Sequence, residues 1–218
     1  MCVKVQMESG HFGEAVNQFA KYGMHPIPQN YPIYKTLALE IFVDCDAKEV
    51  LNLRSSLYGF MKGLETTNEV NTPAGREFNK YLVVAHLLNL KNTYRDKGLL
   101  QLYAKVSVGL LRYCDLVRLD MLYLDAGEGA RKQNWLNLAF VLLNRYLDIF
   151  EVIEDPENNN LGDNTDFNNT DVPSPYDVPL PEKNVINEQK KEEIRDWLLQ
   201  VTNKYIYIYL IAFHKSKG

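Results

Sequence analysis

The sequence predicts an all-α protein built from short antiparallel helices, and three observations carry that prediction. Apolar residues recur at i, i+3, i+4 and i+7 from Met1 to about Ile153, with no convincing period-2 segment. Glycines, prolines and capping residues punctuate that pattern at short intervals. The periodicity then stops at Asp155, where the composition changes abruptly.

Taken in order, a first helix spans about Met1 to Ser9, and Gly10 separates it from a second running about Phe12 to Tyr22. Pro26, Pro28 and Pro32 mark the next connection, with Pro32 tolerable in a first helical turn. Asp46 followed by Glu49 resembles a capping box. It opens a helix whose apolar stripe is Val50, Leu53, Leu57, Phe60, Met61 and Leu64. Thr72-Pro73 supplies an N-cap and first residue for a helix through about Asn92. Within it, Tyr81 to Leu88 is apolar almost all round and is expected to lie between neighbours. Lys97-Gly98 closes a turn before a second stripe of Leu99, Leu102, Tyr103, Val106, Leu110 and Tyr113. Asn134 is placed to cap a helix beginning at Trp135, whose stripe is Leu136, Ala139, Phe140, Leu143, Leu147 and Phe150. About eight helices with short connections result, and such neighbours pack antiparallel.

Gly10-x-Phe12-x-x-Ala15-x-x-x-Phe19, followed by Pro26, resembles the second helix of a tetratricopeptide repeat. A small alanine lets two helices approach, aromatic residues fill the groove beside it, and the proline ends the hairpin. Ala126-Gly127 and Ala130, followed by Trp135, Ala139 and Leu143, repeat the small-then-large arrangement at irregular spacing. A compact helical bundle without repeats is the plainer alternative. The first helix has no N-terminal cap and begins in mid-pattern, as in a segment of a longer solenoid.

From Glu154 to Glu182 there are eight acidic residues and no Lys or Arg, and five of the nine prolines fall between Pro156 and Pro181. A segment so poor in apolar residues cannot offset its ordering entropy and is expected to be mobile. Asn187 then caps a helix over residues 188–201 whose face is Ile194, Trp197, Leu198 and Val201. The following YIYIYLIAF, Tyr205 to Phe213, reads as strand by alternation and β-branching. The expected organisation is therefore repeats over 1–153, acidic linker over 154–187, amphipathic helix over 188–201 and apolar tail over 202–218.

Composition narrows the function. Cys2, Cys45 and Cys114 are odd in number and widely spaced, which argues against a disulfide framework or zinc site and for a reducing compartment. The start MCVKVQMESGHF has no apolar core behind a basic flank, so a signal peptide is not expected. The longest apolar run is too short to span a bilayer, so membrane insertion is not expected. Outside the acidic segment, 24 basic residues face 20 acidic ones without a basic stripe, which disfavours nucleic acid. His86 in its apolar helix and Cys114 lack an orienting third group for nucleophilic catalysis, and a hydrogen-bonded groove histidine is the plainer reading. The acidic run Asp155 to Asp171 fails the calcium-loop pattern, and no phosphate loop occurs. No catalytic, metal or cofactor residues are therefore expected, nor a small-molecule substrate. Protein-interaction candidates are Ile194, Trp197, Leu198 and Val201 on the final helix, with Asp166, Phe167, Asp171, Pro179, Leu180 and Pro181 in the linker. Trp197 suits an interface anchor and internal packing equally.

DNTDFNNTDVPSPYDVPLPEKN followed by EEIRDWLLQV is similar to the segment joining helical repeats to the terminal domain in the intraflagellar transport protein 172 family. AKYGMHPIPQNYPIYK, LQLYAKVSVGLLRYC and WLNLAFVLLNRYLDIFEVIE resemble the same family in the same order. The resemblance covers about residues 10 to 201 and implies the C-terminal part of a long helical arm. It implies a structural scaffold or adaptor of transport complex B at the ciliary base and axoneme, on the cytoplasmic side, and needed for cilium assembly. The implied partners are other intraflagellar transport subunits of complex B, and of complex A at the distal arm. After Val201 the resemblance stops where the family continues into a U-box-like, ubiquitin-associated domain. A ubiquitin-pathway binding module and a helical-repeat adaptor outside cilia are the alternatives.

Overall fold

Nine α-helices and two 3-10 turns occupy the described residues of the computed structural model, 3–155 and 180–215, with side chains described through residue 204. The chain divides into two compact units between Val106 and Ser107.

The first unit contains α1 (Val3–Glu8), α2 (Phe12–Tyr22), α3 (Tyr31–Asp44), α4 (Ala47–Thr66) and α5 (Pro73–Asp96), and ends inside α6 (Leu100–Leu110). Each boundary has a local cause. Gly10 and Gly98 adopt left-handed backbone, with φ of 74° and 67°, where a side chain would be strained. Asp46 Oδ1 accepts from the amides of Lys48 and Glu49, and Thr72 Oγ1 accepts from Gly75, so both N-caps form, Asp46 without the reciprocal Glu49 bond of a capping box. Pro32 sits in the first turn of α3. The Tyr34 hydroxyl pins the proline-rich connection, donating to the His25 carbonyl and accepting from the His25 amide.

The α4 stripe is wholly buried, as its spacing predicts. α4 packs on both α2 and α5, and α3 packs on all three of these helices. Between them lies an aromatic cluster in which Phe60 stands 4.6 Å from Phe78, while Tyr31, Tyr34 and Tyr81 meet these rings edge-on. Edge-to-face contacts of this kind add to the free energy of burial. The Phe19 ring meets Tyr34 edge-on at 5.1 Å, and Ala15 is fully buried beside it, as the repeat-like motif requires. α5 buries only one face, through Phe78, Tyr81, Val84, Ala85 and Leu88. α5 has neighbours in α3 and α4, as expected for this stretch, and leaves His86 exposed.

The second stripe is corrected in part. Leu99 and Leu102 are 44% and 40% exposed, and α6 turns Ala104 and Ser107 inward together with Leu110, the member of the stripe that is buried. These small residues escape a count of large apolar side chains, although close helix packing selects them.

The second unit contains α7 (Leu119–Lys132), α8 (Leu136–Glu154) and α9 (Glu188–Lys215). α7 and α8 form an antiparallel hairpin whose closeness depends on Ala126, Gly127, Ala130 and Ala139. A Cβ added at Gly127 would fall 2.6 Å from Leu143 Cδ2. Asn134 does not cap α8. It adopts φ 59° and ends α7, its amide donating to Arg131 while the Trp135 amide donates to Ala130. Asn tolerates that left-handed position, so its role belongs to the preceding helix.

The strand expected at Tyr205 to Phe213 is helix. α9 runs unbroken from Glu188 to Lys215. β-Propensity is a preference for a pleated neighbour surface. No strand occurs among the described residues, whereas a helix already nucleated at Glu188 extends at little cost.

Candidate functional site

Sequence reasoning points to the final helix as an interaction element, and the structure shows what that helix does within its own unit. Asn187 Oδ1 accepts from the Lys190 amide at 3.0 Å, the expected N-cap. α9 then packs on α8 with Ile194, Leu198 and Val201 buried. Trp197 is half-buried, with the Arg131 guanidinium stacked 5.1 Å from its ring centre.

Charged pairs border this apolar strip. Arg131 bonds Glu193 at 3.2 Å and Glu128 at 3.2 Å, and Lys190 reaches Glu193 at 2.9 Å. Lys191 is nearly buried, 3.2 Å from Glu154 and 4.4 Å from the centre of the Phe150 ring. Arg195 lies 3.4 Å from Glu151. The Lys190 ammonium, aided by Arg131, holds the Glu193 carboxyl below its usual pKa. Most of these pairs face solvent and contribute little individually.

A second group of contacts lies just before α9 and was not foreseen from the sequence. Asp120, at the start of α7, is fully buried. Its two oxygens accept from Arg118 Nε and Nη2, each at 2.9 Å. Oδ1 also accepts from the Met121 amide at 2.9 Å, and Oδ2 accepts from the Val185 amide at 3.1 Å. Arg118 Nη2 further donates to the Lys183 carbonyl. Asn184 Nδ2 donates to the Phe150 carbonyl at 3.2 Å, near the end of α8. Burial, and next the nearby Asp120 charge, push the Tyr146 phenol well above its usual pKa. Arg118-x-Asp120 is short in sequence, yet its partners lie 65 positions away, so only the fold reveals it.

Of the other linker candidates, Leu180 and Pro181 are half-buried. Asp166, Phe167, Asp171 and Pro179 lie outside the described residues. His86 is exposed on the surface of the first unit, where it accepts from Arg54 Nε at 3.1 Å. Among the described residues there is no cluster of three metal-ligating side chains, and no helix long and apolar enough to cross a membrane.

No family model matches the chain. It is similar to the intraflagellar transport protein 172 homologs of Homo sapiens and Danio rerio, at 34% identity over 90% of its length in each case. Intraflagellar transport protein 172 of Chlamydomonas reinhardtii is 27% identical over the same share. The chain spans only 11% of the human relative's length and 12% of the other two.

Proposed function

We propose that this chain, a relative of intraflagellar transport protein 172, works as a non-catalytic adaptor in ciliary transport by presenting helical surfaces to other transport subunits. The observation that carries this reading is similarity over 90% of the chain to proteins named for intraflagellar transport, in animals and in an alga. The helical hairpins support it, since stacked helix pairs offer broad faces for protein partners. Partners within complex B, with complex A at the distal arm, and a site at the ciliary base and axoneme on the cytoplasmic side, belong to this proposal. The C-terminal position in a longer arm belongs to it too. The names of the relatives favour transport over a ubiquitin-pathway role or an adaptor outside cilia.

The test is affinity capture from ciliated-cell lysate with the full chain as bait, and an unrelated helical-repeat protein of similar size and charge as control. Selective enrichment of intraflagellar transport subunits is expected. Equal recovery of those subunits by bait and control would overturn the reading.

A further inference from the structure

We infer that Arg118 and Asp120 form a main-chain clamp that fixes the register of α9, and that α9 is a latch able to leave its seat while α7 and α8 stay folded.

The clamp reads backbone. Asp120 takes the amide of Val185 and Arg118 gives a hydrogen bond to the carbonyl of Lys183. Two points two residues apart on the irregular chain before α9 are thereby held, whatever the side chains at Lys183 and Val185, both of which are exposed. Asn184 between them is the one side chain engaged, through Phe150. The carboxylate is fully buried and bound on both oxygens, so its position is set by α7 itself.

The apolar part of the α9 seat does not by itself fix register. Its apolar face is Ile194, Leu198 and Val201, and Val201, Tyr205 and Ile208 repeat the same four-then-three spacing in sequence. A two-turn slip therefore presents apolar residues to the seat again. The ion pairs beside it involve Glu151, Glu154 and Glu193, each roughly half in solvent, where such pairs bind weakly. Lys191 can find Glu154 only in the observed register. The clamp, two residues before the Asn187 cap, selects that register. The latch is independent of the transport role, and either can fail without the other.

The test uses the full chain and two substitutions. Val185→Pro removes the amide that Asp120 accepts, and Val185→Ala keeps it. Hydrogen exchange reports the protection of residues 188–201, and carbodiimide coupling followed by mass spectrometry reports the Lys191–Glu154 pair. In Val185→Pro, exchange across 188–201 should accelerate about tenfold or more, the loss expected for one hydrogen bond to a charged acceptor. Lys191–Glu154 coupling should fall, while α7 and α8 keep their protection. Val185→Ala should match the unaltered chain in both measurements. Unchanged exchange in Val185→Pro would overturn the clamp, as would the same acceleration in Val185→Ala. Equal loss of protection in α7 and α8 would show that α9 is an inseparable part of the unit and would overturn the latch.

Discussion

Burying a full carboxylate costs several kcal/mol unless hydrogen bonds and an opposite charge replace water. Asp120 meets that condition with four donors, from Arg118 twice, Met121 and Val185. Asp120→Ala should therefore destabilise the second unit by about 2 to 4 kcal/mol, less than for a fully enclosed pair because Arg118 keeps 24% of its side chain in solvent. Urea denaturation followed through unit-specific probes would measure it, and a change under 1 kcal/mol would show the site to be wet. Gly127 illustrates the opposite constraint. Gly127→Ala forces Leu143 aside and should cost about 1 to 3 kcal/mol, against a gain in helix propensity of under about 1 kcal/mol. A more stable variant would mean that α7 and α8 have room between them. Individual residues of this kind were unevenly legible in the sequence. Asp46, Thr72 and Asn187 were readable as caps because a cap acts within three residues of itself. Asn134 was misread because Asn suits a helix end as well as a helix start.

At the scale of the element, periodicity located the helices and was weakest where side chains are small or the fold overrides propensity. The α4 stripe was fully readable because large apolar residues mark its face. The α6 face was legible only at Leu110, because its other buried members, Ala104 and Ser107, are small. The stretch after Val201 has strand-like composition and is helical because α9 enters it already formed. The stability of α9 carries a pH signature, set first by Lys190 on the same helix and in smaller part by Arg131 on α7. Glu193 has a folded pKa below its unfolded one, so its contribution is complete above the ordinary carboxylate range, near 4. It is lost as pH falls through the lowered folded value. Exchange across 188–201 should therefore accelerate below about pH 4, and Glu193→Gln should flatten that dependence. An unchanged pH profile in Glu193→Gln would remove the Lys190–Glu193–Arg131 network from the docking. Raising salt should loosen α9 more than it loosens the α7–α8 hairpin, whose contacts are apolar. Equal salt sensitivity would contradict the division of forces described for this unit.

At the scale of the whole molecule, the all-α class followed from periodicity and punctuation alone, whereas the proposed transport role rests on several segments matching one family in order. Composition shows only that no familiar catalytic or metal motif is written into the chain. The interaction candidates Ile194, Leu198 and Val201 are covered by α8 in the docked state, so a partner reads other surfaces or competes with that seat. The proposed role in ciliary transport depends on the helical surfaces of this chain. Live imaging of the full chain, fused to a fluorescent protein in ciliated cells beside a marked transport subunit, tests it most directly. Entry into cilia and processive tracks along the axoneme that coincide with the marked subunit are expected. A folded, well-expressed fusion that stays out of cilia, or diffuses inside them without tracks, would contradict it.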